Sequence, residues 1–297
     1  MTSVAVVIGG SMGGMAVLEW PLCTPEGYVK HIIALATAAR HSAWCISWGE
    51  TQRQSIFSDP DYRGGWYTKD APPKNGLAAA RMAALLTYRS RDSFEQRFGR
   101  KHQNTPAPSV QRGSAANALP QSPSEPDAAS NGGGKSSPPP LFTAQSYLRY
   151  QGDKFNARFD ANCYVHITRK LDTHDIARGR GTNVNDDSEA LAQVLGQIPR
   201  GALIISVQTD GLFTPSEQQE LARHIVDSEL VTIQSPDGHD GFLLEFEQIN
   251  GHILKFLREK LPEYSNNSQE EAQVLPTYSF VATKESKFGE AEDVTMW

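Results

Sequence analysis

The chain has 297 residues, of which 39% are hydrophobic and 21% charged, and its formal net charge is −6. This length suits one sizeable globular domain, while the acidic balance and the lack of a basic stripe argue against a nucleic-acid partner. The three cysteines form no paired framework and no apolar stretch reaches the length of a membrane span. These features predict a cytoplasmic protein with neither a nucleic-acid nor a membrane partner.

The first predicted element is a strand that runs through a glycine-rich turn into a helix. Residues 4–8 are a β-branched run, residues 9–14 read Gly-Gly-Ser-Met-Gly-Gly, and residues 15–20 are compatible with a helix. The pattern G-x-S-x-G in this context is typical of a nucleophile elbow, whose tight and strained turn is expected to admit only glycine beside the serine. Ser11 is therefore a candidate nucleophile. The alternative, a phosphate-binding turn, is disfavoured because the P-loop pattern is not present.

The middle of the chain is predicted to be mainly helical. A second buried strand is followed by helical segments, which are interrupted by a stretch rich in Pro, Ser, Ala, Asn and Gly. That stretch has too little apolar surface to offset its ordering entropy, so we expect a disordered insertion. The predicted strand covers 31–37, the helices cover 44–60, 77–98, 143–150 and 161–171, and the insertion covers 102–140.

Strand–helix alternation returns in the last third, with strands at 202–207 and 230–233 and helices at 215–225 and 242–257. The order β-α-β, a helical excursion and then β-α-β-α predicts an α/β-hydrolase fold, specifically the C-terminal half of its parallel sheet with an inserted helical lid. We accordingly divide the chain into a core segment with the elbow (1–43), a lid (44–190), a second core segment (191–261) and a polar tail (262–297).

A serine becomes a useful nucleophile only when a histidine takes its proton and an acid fixes the histidine tautomer. In this fold the chain order is serine, then acid, then histidine, and Asp210 and His239 stand in that order after the last two predicted strands. Alone, each would more often be an ordinary loop or surface residue. Their order and their positions at strand ends predict a triad of Ser11, Asp210 and His239.

The cluster Asp172-Thr173-His174-Asp175 has a spacing that metal sites also use. No further histidine or cysteine group accompanies it, so we expect lid packing and no bound metal.

Several longer motifs resemble the homoserine O-acetyltransferase family in its fungal branch. They are the elbow with the following Leu18-Glu19-Trp20, the segments 35–56, 146–152, 158–162 and 171–175, and the surroundings of Asp210 and His239. The resemblance extends to about residue 258 and is interrupted only by the insertion.

The resemblance implies acetyl transfer from acetyl-CoA to L-homoserine through an acetyl-Ser11 intermediate, with acetyl-CoA as co-substrate and no further cofactor. The backbone N–H of Met12, next to the nucleophile, would stabilise the oxyanion. By motif, the amino acid would be held by Arg81, Tyr88 and Asp240, and members of the family are commonly homodimers. Arginine suits a bidentate grip on the α-carboxylate, and aspartate suits the α-ammonium.

Compared with the family, the chain lacks the strands before the elbow and the loop that supplies a second oxyanion donor. Loss of one such donor typically costs about 10²–10³ in rate. We therefore expect this chain, produced alone, to be poorly soluble and nearly inactive.

Other functions share these motifs. A serine O-acyltransferase, an antibiotic-precursor acetyltransferase, a plain esterase or a non-catalytic remnant would carry the same triad. The motifs also leave open whether the donor is acetyl-CoA or succinyl-CoA.

Overall fold

A computed structural model describes residues 2–102, 142–181 and 186–265. Of the predicted insertion at 102–140 only His102 belongs to this part, and of the predicted tail only residues 262–265. Everything else in those two predictions lies outside the described residues.

The core of the fold is a four-stranded, fully parallel sheet with the order β1-β2-β3-β4. Its strands are β1 (Val4–Gly10), β2 (Val29–Leu35), β3 (Leu203–Val207) and β4 (Glu229–Ile233). Every residue of β3 is buried, as expected for a strand covered on both faces. β1 pairs only with β2 among the described strands, and Ile8 on it is 44% exposed.

Eleven α-helices lie in the described ranges. They are α1 (Met12–Leu22), α2 (Ala43–Phe57), α3 (Lys74–Tyr88), α4 (Arg91–Arg97), α5 (Thr143–Asn156), α6 (Ala161–Asp172), α7 (Asp187–Leu195), α8 (Pro215–His224), α9 (Gly241–Leu244), α10 (Phe246–Lys260) and α11 (Pro262–Ser265). Short 3₁₀ turns cover Pro60–Gly65 and Gly238–Asp240.

Helices cover both faces of the sheet. On one face, Leu18 of α1, Leu195 of α7 and Leu221 of α8 pack in one cluster with the strand residues Ile32 and Ile204. The opposite face is covered by α10, whose buried side chains are Ile249 and Phe256. Burial of a large aliphatic or aromatic side chain contributes about 1.5–3 kcal/mol, so these contacts hold the sheet rigid beneath the elbow.

A second apolar cluster joins helices from the segment between β2 and β3. It contains Ile56 of α2, Leu77 of α3, Phe155 of α5 and Tyr164 of α6. These helices pack on one another as the predicted lid requires. The domain boundaries themselves stay a prediction.

Some predicted elements differ from the structure. The predicted helix 77–98 is two helices, because Arg89 is extended and the Ser90 side chain caps α4 by accepting from the N–H of Ser93. β2 ends at Leu35 instead of residue 37, since Ala36 has φ of 42°, outside the strand region. The predicted helix 242–257 is divided between α9 and α10, and α7 was not predicted.

No helix in the described part of the chain is long and apolar enough to cross a bilayer.

Candidate active site

Ser11 occupies the turn between β1 and α1 in a strained conformation. Its φ is 56°, in the left-handed region that residues other than glycine rarely adopt. The turn is held because the N–H of Ser11 donates to the carbonyl of Leu35 (2.9 Å) and the Thr37 hydroxyl donates to the carbonyl of Ser11 (2.8 Å). The neighbouring strand β2 therefore stabilises a backbone conformation that presents the hydroxyl at the sheet edge.

The two glycines that define the G-x-S-x-G pattern are not equally constrained. A Cβ at Gly9 would lie 2.5 Å from the carbonyl oxygen of Gly13, which the rigid turn cannot accommodate. A Cβ at Gly13 itself would meet no heavy atom within 4 Å. The expectation that only glycine fits beside the serine is thus wrong for Gly13, because that residue already lies in the open first turn of α1.

The structure brings Ser11, His239 and Asp210 together although 228 residues separate the first two. The Nε2 atom of His239 lies 2.8 Å from the Oγ atom of Ser11, and its Nδ1 atom lies 2.7 Å from Oδ2 of Asp210. Asp210 follows β3 and His239 follows β4, so both reach the same edge of the parallel sheet. This arrangement can move a proton from the serine to the imidazole.

Asp210 has a completely buried side chain whose two oxygens have separate partners. Oδ1 accepts from the N–H groups of Leu212 (2.8 Å) and Phe213 (2.9 Å), while Oδ2 faces His239. The carboxylate is thereby fixed in one orientation, and it selects the tautomer in which Nδ1 of the ring carries the proton.

The His239 ring is itself held by packing and by its loop. Phe213 and Phe242 contact it at ring-centroid distances of 5.2 and 5.0 Å. The preceding Gly238 donates its N–H to the Thr209 hydroxyl at 2.9 Å, next to Asp210 in the chain. These contacts leave the ring little freedom to turn away from Ser11.

Met12 is the first residue of α1. The first N–H groups of a helix have no partner within the helix, so its amide is oriented for an incoming anion. Ser11 and Met12 also line a cavity of about 240 Å³, together with Trp48, Leu171 and Phe213. A reacting carbonyl can enter this cavity.

Arg81, Tyr88 and Asp240 are brought together beside the histidine. Arg81 and Asp240 are 4% and 3% exposed, and the Arg81 guanidinium lies 5.4 Å from the centre of the Tyr88 ring. Burial raises the pKa of Tyr88, an effect that Arg81 opposes and Asp240 reinforces. Burial also raises the pKa of Asp240, opposed by Arg89, His239 and Arg81. A buried cation, a phenol and a carboxylate therefore share one small region next to His239.

Arg89 is a residue of this region that sequence reasoning missed. Its Nε atom lies 2.9 Å from Oδ2 of Asp240, and its Nη1 atom lies 2.7 Å from Oδ1 of Asp237. Ser93 donates a second hydrogen bond to Asp237 at 2.7 Å. The junction of α3 and α4 is thus tied to the loop that carries His239. The only local signal was an arginine directly after the Tyr88 motif, and its partners lie far away in sequence.

Replacing Arg89 by methionine is expected to destabilise the fold by about 3–5 kcal/mol, because it leaves the buried Asp240 without its cation. Urea denaturation at neutral pH measures this loss. The exposed pair Arg200–Asp227 provides the matched control, since Arg200→Met should cost less than about 1 kcal/mol. Equal effects of the two substitutions would contradict the structural role of Arg89.

His41, on the wall of the same cavity, is held neutral by its surroundings. Burial lowers its pKa to about 4; Asp172 opposes this shift, whereas His174 and Arg53 reinforce it. The unfolded chain binds a proton near pH 6.5 and the folded one only near pH 4. Protonation therefore favours the unfolded state as the pH falls through that window.

We expect His41→Asn to reduce the loss of stability between pH 6.5 and pH 5 in urea denaturation. The exposed His166 is the control, because His166→Asn should leave the slope as in the original protein. An unchanged slope in His41→Asn would show that other groups cause the acid sensitivity.

His174 is half-buried beside this wall, and its Nε2 atom lies 3.0 Å from the carbonyl oxygen of Ala38. Among the described residues, no group of three or more His, Cys, Asp or Glu side chains is placed to hold a metal ion.

The parallel sheet, the elbow and the contact of serine, histidine and aspartate define a protein of the α/β-hydrolase fold class. A family model for the alpha/beta hydrolase fold matches residues 2–246. The crystal structure of homoserine O-acetyltransferase from Bacillus anthracis has a TM-score of 0.66 at 18% identity, covering 86% of this chain and 60% of that one. The predicted fold is therefore confirmed.

Two relatives show to which family within this fold class the chain belongs. Homoserine O-acetyltransferase of Cryptococcus neoformans is 47% identical over 99% of this chain and 72% of its own length. The enzyme of the same name from Emericella nidulans is 46% identical over 99% of this chain and 68% of its own length. This chain belongs to the homoserine O-acetyltransferase family, as its motifs predicted. It spans 72% and 68% of the length of these two curated relatives and 60% of the length of the Bacillus anthracis chain.

Proposed function

We propose that the chain carries the active site of a homoserine O-acetyltransferase, which moves acetyl from acetyl-CoA to the side-chain hydroxyl of L-homoserine. The observation that carries this proposal is the relay in which His239 lies 2.8 Å from Ser11 and 2.7 Å from Asp210. The relatives named above bear this enzyme name, which supports the same chemistry for this chain.

In the first half-reaction, the Ser11 oxygen attacks the thioester carbonyl while its proton passes to Nε2 of His239. The N–H of Met12 stabilises the negative charge on the carbonyl oxygen. The carbon–sulfur bond then breaks, the departing thiolate takes the proton from His239, and acetyl-Ser11 remains.

In the second half-reaction, the homoserine hydroxyl gives its proton to His239 and its oxygen attacks the acetyl ester. The Ser11 oxygen leaves and recovers the proton, which releases O-acetyl-L-homoserine. Asp210 keeps the imidazole in one tautomer in both halves and stabilises its charged form.

The acceptor must compete with water for the acetyl group. We propose that Arg81 grips the α-carboxylate of homoserine, that Tyr88 lines its site, and that Asp240 faces the α-ammonium. The burial of Arg81 and Asp240 beside His239 supports this assignment, because charged contacts are stronger where water is excluded.

The test combines acetyl-CoA or succinyl-CoA with homoserine or serine and identifies each product by mass. We expect O-acetylhomoserine, even at a low rate, as the main product, no product from Ser11→Ala, and an acetylated Ser11 peptide when the acceptor is omitted. Release of acetate at a rate that homoserine does not change would instead identify an esterase.

Arg81→Ala separates acceptor binding from the first half-reaction. We expect kcat/KM for homoserine to fall about 10²-fold, as for loss of one partner of a buried charge pair, while the burst of free coenzyme A remains. If the protein is a plain hydrolase, which needs no amino-acid acceptor, Arg81→Ala should leave its turnover unchanged.

We also propose that the protein works in the cytoplasm. The exposed thiols of Cys23 and Cys163, which are both free, suit a reducing compartment. The homodimer that the family implies remains a prediction.

A further inference from the structure

The cavity at Ser11 is too small for the whole acyl donor. Its volume is about 240 Å³, whereas sites that enclose ligands of ordinary drug size span about 300–1,000 Å³. Acetyl-CoA is larger than most such ligands. The catalytic cavity can therefore take the acetyl group and the amino acid, and the nucleotide end of the donor has to lie elsewhere.

A groove of about 930 Å³ lies next to the elbow. One wall is α1, with Met12 and Trp20, and the other is the segment 170–180, which comprises the end of α6 and the chain that follows it. Met12 and Leu171 line both this groove and the catalytic cavity. The two spaces are thus neighbours at the residue whose N–H faces the reacting carbonyl.

The charge of the groove is opposite in sign to that of the chain. Lys170, Arg178 and Arg180 line it, against the carboxylates of Glu19 and Asp175. Arg180 is neutralised across the groove by Glu19, at 2.6 Å. Lys170 and Arg178 are exposed and form no ion pair within the described ranges. Two cations are thus available for an anionic ligand in a protein whose net charge is −6.

The groove also offers an aromatic surface. Trp20, in the last turn of α1, is 47% exposed. An exposed indole can stack on a planar base, as aromatic side chains do in nucleotide complexes. Cations beside an accessible tryptophan suit the binding of a phosphorylated nucleotide.

A second large cavity does not share these properties. It has a volume of about 720 Å³ and is lined by residues such as Lys30 and Arg200, but by neither Ser11 nor Met12. Arg200 is already paired with Asp227. This cavity therefore shares no lining residue with the catalytic cavity at Ser11.

We propose that the groove between α1 and segment 170–180 binds the nucleotide end of the acyl-CoA donor. In this assignment, which rests on the proposed function, Lys170 and Arg178 bind the phosphates and Trp20 stacks on the adenine. The thiol arm passes Met12 to reach Ser11.

Steady-state kinetics of the double variant Lys170→Ala/Arg178→Ala test this assignment. We expect KM for acetyl-CoA to rise about 10- to 100-fold with kcat and the KM for homoserine retained, since two charged contacts at an exposed site are lost together. The acetyl thioester of N-acetylcysteamine lacks phosphates and adenine, so its kcat/KM should be the same in both proteins. Lys30→Ala, which removes one exposed charge at the other cavity, is the matched control.

An unchanged KM for acetyl-CoA in the double variant would overturn the assignment. A direct measurement keeps the result independent of turnover: calorimetry with adenosine 3′,5′-bisphosphate should show binding that the double variant and Trp20→Ala each weaken. If the original protein binds this nucleotide but transfers no acetyl group, the proposed reaction fails and the groove stands. If it transfers acetyl but does not bind the nucleotide, or binds it equally in all variants, the groove assignment fails.

Discussion

Replacing Asp210 by asparagine is expected to lower kcat for acetyl transfer about 10⁴-fold while the protein remains folded. The reason is the fixed environment of the side chain. Its Oδ1 position accepts from the backbone N–H groups of Leu212 and Phe213, so the amide oxygen of asparagine must take that place. The amide nitrogen then faces Nδ1 of His239 as a donor.

A donor at that position selects the wrong histidine tautomer. Nε2 would carry the proton and could no longer accept the one from Ser11. Single-turnover release of coenzyme A measures the first half-reaction directly, and a thermal unfolding curve checks the fold. The exposed Asp153→Asn is the control and should keep full activity. A loss smaller than about tenfold in Asp210→Asn would mean that the tautomer is set in another way.

Gly238→Ala is expected to destabilise the protein by about 2–5 kcal/mol and to remove most activity. Gly238 has φ of 68°, and an added Cβ would lie 2.5 Å from the backbone nitrogen of Ser90. Strain at such a φ and overpacking against backbone each cost about 1–3 kcal/mol. The clash can be relieved only by moving either the junction after α3 or the loop that holds His239.

The matched control lies in the other catalytic loop. A Cβ at Gly211 would meet no heavy atom within 4 Å, so Gly211→Ala should change stability by less than about 1 kcal/mol. Urea denaturation and the acetyl-transfer rate are measured on both variants. Similar behaviour of the two would show that the contact between the loop and the α3–α4 junction is not tight.

Local pattern predicted the parts of the site that sit at strand ends. Ser11, Asp210 and His239 follow buried apolar runs, and the parallel arrangement that those runs imply brings their ends to one edge. The placement of Arg81, Tyr88 and Asp240 came from family motifs. Their roles, like those of the triad, remain to be tested by the experiments described above.

What local pattern missed has two physical causes. Arg89 contacts Asp237 and Asp240, and a separation of about 150 positions leaves no periodic signal. In α7 the signal was present, because Asp186 caps the helix and Leu191, Val194 and Leu195 form its buried face, but it lay beside a polar segment. The break after Tyr88 was likewise marked by the capping Ser90.

The ion pair between Arg89 and Asp240 limits how this site can be redesigned for another acceptor. In the proposed function Asp240 faces the α-ammonium of homoserine, so it is the position at which to change a preference for an amino group. Any neutral residue there would remove one of the two carboxylates, Asp237 and Asp240, that pair with the buried Arg89 guanidinium, at a cost of about 1.5–3 kcal/mol. A substitution of Asp240 that changes the acceptor therefore calls for a matching substitution of Arg89.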